Sequence, residues 1–380
     1  MNRRKFLKIA GGGLILAAAS ATTFATTRRP TKALSPWTAA GGYSDPRMNA
    51  LSYAVLAPNP HNRQPWIVGL EGDDALTLWF DTDKQLPETD PLDRQLTIGL
   101  GTFLELMTMA ANANGYRVDL DLFPEGEDPN GLDNRPVAKA RIIADPTVKP
   151  DLLWAHVMNR RSNKEPFDIT RTVAPDQLAR ITSVANHGTP LGGSINPEDI
   201  AAWRALTTDA LRLEIETPRT YKESVDLFRI GKSEINANPD GIDLGGALIG
   251  SLALVGAASR KAALDPHSTM YAEGVKAVLA NTETAMGHLW MVTKGNTRRD
   301  QIAAGGDWLR VNLATTAEGL GFQPLSQALQ EYQEMDAIYH ETHARLAPNG
   351  GTVQMLARIG YGPSIDATPR WPVEAKLRSV

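Results

Sequence analysis

The chain has 380 residues, of which 42% are hydrophobic and 22% charged, the balance of a folded protein rather than a disordered one. Its net charge of −4 excludes a general electrostatic attraction to nucleic acid or anionic lipid. Because the chain has no cysteine, disulfides, thiolate nucleophiles and cysteine-ligated metals are excluded as well.

Residues 1–27 have the pattern of a twin-arginine export signal. Arg3-Arg4-Lys5-Phe6-Leu7-Lys8 precedes a weakly apolar run, Ile9 to Phe24, that contains glycines and small polar residues. This run falls short of the roughly 20 apolar residues of a membrane span, so no stable span is expected after cleavage. The alternative is an amphipathic first helix. We predict export of the folded protein by the twin-arginine machinery to the periplasm or another extracytoplasmic compartment.

A first structural unit is predicted over residues 46–150, after a connector over 30–45. Residues 48–56 are typical of a helix, and two apolar runs on either side of Glu71-Gly72-Asp73-Asp74 predict a β-hairpin. Apolar residues then recur at helical spacing from Leu96 to Ala111, before the end signal Asn114-Gly115. Alternating or continuous apolar residues predict strands over 118–122 and 137–143.

A second unit is predicted over residues 151–380. Its pattern indicates helices over 152–159, 175–185, 203–215 and 308–318, and a strand over 289–293. The helix end at Gly319-Leu320-Gly321 repeats the helix end of the first unit. The sequence therefore predicts an α+β fold in which two fused units pack as a pseudo-dimer.

Residues 222–266, between elements of the second unit, have two interpretations. They contain the turn sequence Asn238-Pro239-Asp240-Gly241 and an apolar stretch from Ala247 to Ala258. The stretch is either a lid over a site or an ordinary turn followed by an apolar helix.

Two motifs carry candidate chemistry. Arg160-Arg161-Ser162-Asn163-Lys164 places three cations and a hydroxyl within five residues, which suits a phosphate or another oxyanion, although a solvated basic turn would have the same composition. The segment from Pro58 through Asn59, Asn62 and Gln64 to Trp66 places amides, an imidazole and prolines in a rigid turn before a strand. Such a turn could hold a planar polar ligand by hydrogen bonds.

Together these motifs resemble the FMN-dependent nitroreductase family. In that family an Arg-x-Ser-x-Arg/Lys segment grips the flavin, and the partner subunit contributes an Asn-x-Gln-Pro-Trp turn. Here the turn lies in the first half and the basic segment in the second. The arrangement is most similar to the single-chain, double-domain proteins of the mycobacterial dormancy-associated type. The resemblance implies a nitroreductase fold, one flavin site per chain and a monomer.

The resemblance also assigns site residues. The closing segment with Arg370 resembles the family's phosphate-binding tail, and the loop after Gly321 resembles the one that passes the flavin's reactive nitrogen. The implied FMN-binding residues are Arg160, Arg161, Ser162, Lys164, Pro58, Asn59, Asn62, Leu325, Ser326 and Arg370. Lys164 is expected to tune the flavin, no residue is assigned as a catalyst, and no metal is expected. Asn59 and Pro60 depart from the family's small residues.

The implied function is two-electron transfer through FMN to a nitro compound, a quinone or a similar small-molecule acceptor, with NAD(P)H as a possible donor. One alternative is a flavin-binding or flavin-sequestering protein without turnover, and another is a relative that binds no flavin. Residues 184–188 of the second half depart from the Gln-Pro-Trp turn, so a second flavin site is not expected.

Three further features have two interpretations each. His340 and His343 could ligate a metal or lie on a solvated helix face. His61 could donate a proton or be satisfied by the backbone. Asp90-Pro91-Leu92-Asp93-Arg94 is typical of a helix start with a local ion pair, from which Arg94 could also reach the site.

Overall fold

The computed structural model describes residues 29–254 and 256–379. The predicted export signal, residues 1–27, lies outside the described residues. The first half contains helices α1 (Thr31–Ala39), α2 (Pro46–Ala54) and α3 (Arg94–Ala113), and strands β1 (Trp66–Glu71), β2 (Ala75–Phe80), β3 (Tyr116–Leu122) and β4 (Pro136–Ala144). The four strands form an antiparallel sheet in the order β1-β2-β4-β3.

The second half repeats this plan with an insertion. It contains helices α4 (Pro175–Thr182), α5 (Pro197–Glu216), α6 (Pro218–Asp226), α7 (Gly231–Ala237), α8 (Gly246–Leu254), α9 (Arg260–Leu264), α10 (Thr269–Glu283), α11 (Arg298–Ala317) and α12 (Asp336–Leu346). Its strands are β5 (Leu191–Ser194), β6 (Phe228–Ile230), β7 (Ile242–Leu244), β8 (Gly287–Thr293), β9 (Gly321–Pro324) and β10 (Thr352–Gly360). β5, β8, β10 and β9 form a second antiparallel sheet in that order, while β6 and β7 pair in parallel.

Short 3-10 helices occur in both halves. They span Pro60–Asn62, Thr82–Lys84, Leu152–Asn159, Ser326–Leu329, Gln333–Met335 and Val373–Lys376. The described residues therefore form the α+β fold that the sequence predicts, with one four-stranded sheet in each half.

The helices α3 and α11 cross at the centre of the molecule and hold the two halves together. At the crossing, a Cβ added to Gly101 would lie 2.3 Å from the carbonyl oxygen of Ile302, and one added to Gly305 would lie 2.1 Å from that of Ile98. Only glycine permits this approach of two backbones. α3 is long and apolar enough to cross a membrane, but 83% of its most apolar window is buried inside the protein, so it serves as a core helix.

Three predicted boundaries were wrong. The connector over 30–45 contains α1, whose buried Ala33, Pro36 and Trp37 lie on one helical face. α11 begins at Arg298 rather than Trp308, because Thr297 and Asp300 form a capping box ahead of a turn whose buried residues are largely polar. α5 begins at Pro197 rather than Trp203, because the side chain of Asn196 caps the helix and proline suits its first position. The helix predicted over 152–159 is confirmed, with 3-10 geometry.

Candidate functional site

Three arginines from distant parts of the chain meet beside the turn that precedes β1. Arg160 and Arg161 follow the 3-10 helix Leu152–Asn159, and Arg370 lies in the C-terminal tail. Arg160 donates to the carbonyl oxygen of Leu56 at 3.0 Å, and Arg370 donates to the same oxygen at 3.2 Å. We call Arg160, Arg161 and Arg370 the arginine cluster. The structure thus brings together the basic motif and the tail, as the resemblance predicts.

Two members of the arginine cluster are buried and Arg161 is half-buried, and no carboxylate lies close to any of them among the described residues. Arg160 is 4% exposed and Arg370 3% exposed. Burial, together with the charges of Arg370 and Arg161, lowers the pKa of Arg160 to about 9. Burial also lowers the pKa of Arg370 to about 9, against an opposing effect of Asp243. In the described part of the chain, no ion pair within 4.0 Å joins these arginines to a carboxylate.

Three buried nitrogens of this region have no hydrogen-bond partner among the described residues. They are Nε of Arg161, Nε of Arg370 and Nδ1 of His61. The two guanidinium nitrogens are obligate donors, and unpaired buried donors are rare because each costs free energy. An anion with several oxygens, such as a phosphate group, would accept these hydrogen bonds and neutralise the cluster. The donor set therefore fits the phosphate of FMN.

The turn over residues 58–65 has an unusual backbone. His61, Asn62 and Gln64 have φ values of 45°, 52° and 51° in the left-handed region, where residues other than glycine are uncommon. The turn is held in place by the side chain of Asn62, which accepts a 2.6 Å hydrogen bond from Arg370 and donates to the carbonyl oxygen of Pro369 at 3.1 Å. Backbone outliers of this kind cluster at functional sites.

Two residues predicted to touch the cofactor are engaged within the fold. Asn59 uses both ends of its amide in the turn, since Oδ1 accepts from the backbone nitrogen of Gln64 at 2.7 Å and Nδ2 donates to the carbonyl oxygen of Ala57 at 3.1 Å. The carbonyl oxygen of Pro58 accepts from the hydroxyl of Thr102 at 2.6 Å. Both residues lie beside the cluster and shape the turn.

His61 is neutral at pH 7. Burial, together with the charges of Lys164 and Arg63, lowers the pKa of its imidazole to about 4. A neutral imidazole is a poor proton donor, and its unpartnered Nδ1 is not satisfied by the backbone either. Both interpretations of His61 are therefore unsupported, and it faces the site as a neutral polar group.

Lys164 lies on the open side of the site. The neighbouring Asn163 is buried and fixes the segment, because its backbone nitrogen donates to the carbonyl oxygen of Phe322 at 2.7 Å and its Nδ2 to that of Pro363 at 2.9 Å. Ser162 is half-buried and Lys164 exposed. The positive charge of Lys164 lowers the pKa of His61 and opposes the raised pKa of Asp243, so Lys164 is within electrostatic range of both groups.

Leu325 and Ser326 directly follow β9. They lie three and four residues after Phe322, whose carbonyl oxygen accepts the hydrogen bond from the backbone nitrogen of Asn163. Leu325 is 2% exposed and its backbone nitrogen donates to the carbonyl oxygen of Leu356 at 2.8 Å. Ser326 is half-buried and begins the 3-10 helix Ser326–Leu329. The side chain of Leu325 thus belongs to the core, and Ser326 is the exposed member of the pair.

The segment over 222–266, which we call the lid, is fastened to the turn. The carbonyl oxygen of Pro239 accepts from Nε2 of Gln64 at 2.7 Å, and the backbone nitrogen of Gly241 donates to the carbonyl oxygen of Asn62 at 3.1 Å. Asp240 pairs with Lys84 at 2.6 Å and with Arg229 at 2.9 Å. Residues 238–241 therefore connect α7 to β7 against the site.

Sequence reasoning missed three residues near the site. Asn312 on α11 accepts a 2.9 Å hydrogen bond from Arg160. Asp243 on β7 is exposed, yet the surrounding protein desolvates its carboxyl and raises its pKa, against the opposing charges of Lys164 and Arg370. Trp37 on α1 stacks against Arg161, with 4.8 Å from the guanidinium carbon to the ring centroid. None of them belongs to a local motif, so no sequence signal pointed to them.

Two predictions away from the site were wrong. Arg94 makes no local ion pair with Asp93; it pairs with Glu331 at 3.2 Å and donates to the carbonyl oxygens of Leu329 and Gln354. His343 is not on a solvated face, because Nδ1 contacts the carbonyl oxygen of Tyr339 at 2.9 Å and Nε2 accepts from the backbone nitrogen of Val353 at 3.0 Å. These bonds occupy both ring nitrogens and leave neither for a metal.

A second turn, over residues 183–190, precedes β5 as the first turn precedes β1. Its backbone nitrogens at Asn186 and His187 donate to the buried carboxylate of Asp307 at 2.6 and 3.0 Å. His187 contacts Glu105 at 2.8 Å, and Arg310 pairs with Glu105 at 3.0 Å and with Asp151 at 2.8 Å. The cation here is neutralised by carboxylates of the protein itself.

The fold and the site define a two-unit α+β protein with a cationic site between its halves. No family model matches the chain. The chain is 26% identical to "Putative NAD(P)H nitroreductase Rv3131" of Mycobacterium tuberculosis over 85% of its own length and 86% of that protein. It is 25% identical to "Putative NAD(P)H nitroreductase acg" of the same organism, over 86% and 93% of the two chains. These similarities at full two-unit length support the nitroreductase resemblance.

Similarity among solved structures is weaker. A structure described as "a putative nitroreductase from anabaena variabilis" is 10% identical, with a TM-score of 0.43, and covers 81% of this chain and 82% of its own.

Proposed function

We propose that this protein is an FMN-binding oxidoreductase of the nitroreductase type. The proposal rests mainly on the arginine cluster. The Nε atoms of Arg161 and Arg370 in this cluster are buried without a hydrogen-bond partner and would suit the oxygens of a flavin phosphate. The names of the mycobacterial relatives add NAD(P)H as the electron donor. A nitro compound, a quinone or a similar small molecule would be the acceptor.

FMN, when bound, supplies two-electron hydride chemistry. Arg160, Arg161 and Arg370 would hold its phosphate, with Ser162 beside them, and the turn over 58–65 would close the site from the other half. Lys164 would place a positive charge on the open side, where it favours uptake of negative charge by the cofactor. Ser326 would line the opposite edge, while Asn163 keeps Lys164 in position through Phe322 and Pro363.

A second candidate is a flavin-holding protein without turnover. The observation that favours it is the fastening of the lid to the turn through Pro239 and Gly241, which restricts access to the space around Lys164. The protein would then bind FMN but exclude the nicotinamide.

Reconstitution of the mature chain tests both candidates. We expect one FMN per chain by equilibrium dialysis, and bleaching of its visible absorbance by NADPH or NADH under anaerobic conditions. Bleaching by dithionite alone would favour flavin holding, and failure to bind FMN would contradict both candidates. We further propose that the protein acts as a monomer and is exported through the twin-arginine machinery before it works in the periplasm.

A further inference from the structure

The segment at the start of the described chain crosses the site. We call residues 29–40, which include α1, the strap. The carbonyl oxygen of Ala33 accepts from the backbone nitrogen of Arg370 at 2.9 Å, and the backbone nitrogen of Ala33 donates to Oδ1 of Asn236 on α7 at 3.0 Å. One residue of the strap therefore joins the C-terminal tail to the lid.

Trp37 is the part of the strap that meets the arginine cluster. Its side chain is almost fully buried, and its Nε1 donates to the carbonyl oxygen of Thr368 at 2.8 Å. The ring centroid lies 4.8 Å from the guanidinium carbon of Arg161 and 6.0 Å from that of Arg370. These distances are within the range of cation–π attraction. The two arginines that carry unpartnered Nε atoms thus share one aromatic neighbour.

We infer that Trp37 is a specificity-determining residue that closes the phosphate end of the flavin site. The site would then take a flavin mononucleotide and exclude a flavin dinucleotide. The inference rests on the proposed function, because it assigns the phosphate to the arginine cluster. Trp37 would act in two ways: its stacking would hold the guanidinium of Arg161 beside the phosphate, and its buried indole would block a ligand that extends beyond the phosphate.

Flavin titrations of the full apo chain test this inference. Riboflavin, FMN and FAD are the probes, since they share the ring and differ only at the phosphate end. In the wild type we expect FMN to bind more tightly than riboflavin or FAD. In Trp37→Ala the preference for FMN over riboflavin should fall roughly tenfold, and the preference for FMN over FAD should also fall. Trp37→Phe keeps an aromatic ring and should retain most of both preferences.

Trp79→Ala is the matched control. Trp79, on β2, also stacks on an arginine, with 3.3 Å between its ring centroid and the guanidinium carbon of Arg378. Trp79→Ala should leave the preference for FMN over riboflavin and the preference for FMN over FAD unchanged, even if it lowers the free energy of unfolding. If Trp37→Ala weakens all three flavins equally, or changes neither ratio, the inference is wrong while the proposed function stands. If the wild type binds no flavin, both are wrong.

Discussion

The turns over 58–65 and 183–190 occupy corresponding places in the two halves, but they differ in whether the arginines beside them are paired with carboxylates. The first faces the arginine cluster, which is buried without a close carboxylate and leaves two Nε donors unpaired. The second faces Arg310, which two carboxylates neutralise. Backbone nitrogens of this second turn, at Asn186 and Thr189, also donate hydrogen bonds to the carboxylate of Asp307. The first turn therefore faces cations without a close carboxylate among the described residues, whereas the second faces a cation that carboxylates of the protein neutralise.

The largest effects are expected from replacing one arginine beside each turn, Arg310 beside the second and Arg160 beside the first. Arg310→Met should lower the free energy of unfolding by about 3 kcal/mol, because it leaves buried Glu105 without its cation. It should leave FMN affinity unchanged. Arg160→Met should do the reverse, weakening FMN roughly tenfold or more through loss of a charge-assisted contact, with a change in unfolding free energy below about 1 kcal/mol. Urea unfolding and FMN titration measure the two quantities.

Equal losses of stability in the two variants would contradict this comparison. So would a loss of FMN affinity in folded Arg310→Met, since the turn over 183–190 and its neutralised arginine would then contribute to the site.

A substitution at the helix crossing should affect both halves together. Gly305→Ala places a methyl group 2.1 Å from the carbonyl oxygen of Ile98, so α3 and α11 must move apart. We expect a loss of about 2 kcal/mol in unfolding free energy, measured by urea unfolding. Gly274→Ala on α10 is the control, because no atom lies within 4 Å of its added Cβ. That change should stabilise slightly, and equal losses at both positions would refute the account of the crossing.

The last comparison concerns one histidine in each turn, and the two pH dependences of stability have opposite signs. Burial lowers the pKa of His61 to about 4, so the unfolded chain binds its proton first, and stability is lost as pH falls from 6.5 toward 4. The hydrogen bond to Glu105 raises the pKa of His187 above 6.5. Its contribution is therefore fully present below pH 6.5 and is lost as pH rises through the raised pKa.

Urea unfolding between pH 4 and pH 8 measures these contributions in His61→Asn and His187→Asn. Relative to the wild type, His61→Asn should gain stability as the pH falls below 6.5. His187→Asn should be destabilised at pH 6 and less so at pH 8. Slopes of the same sign for the two variants would contradict the assignment.

Local patterns predicted much of the fold. The hairpin of β1 and β2, the helix α3 and the strand β8 were confirmed, because each follows from apolar spacing and turn residues within one segment. α1 was missed because Pro36 lies inside it and its apolar face is only three residues wide. The start of α11 was missed because it buries Arg298 and Gln301 rather than apolar residues.

The candidate site could be predicted only where it consists of motifs. Arg160 and the turn at Asn62 could be proposed from the sequence because each lies in a dense polar segment. Trp37 and Arg161 are in contact although they lie far apart in the sequence. The same holds away from the site for Arg94 and Glu331, which are 237 positions apart. Contacts of this kind depend on how the halves pack, which spacing within one segment does not encode.

The reciprocal fit of Gly101 and Gly305 has a consequence for how the two halves can change. In a symmetric dimer of identical subunits, each substitution occurs at both related sites, so neutralising one cation would neutralise its twin. Here the halves are one chain, and Asp307 and Glu105 each occur once. The crossing constrains both helices equally, whereas the turns on either side of it are free to diverge. Covalent fusion therefore allows the cation beside one turn to be neutralised by carboxylates while the cations beside the other turn keep none close to them.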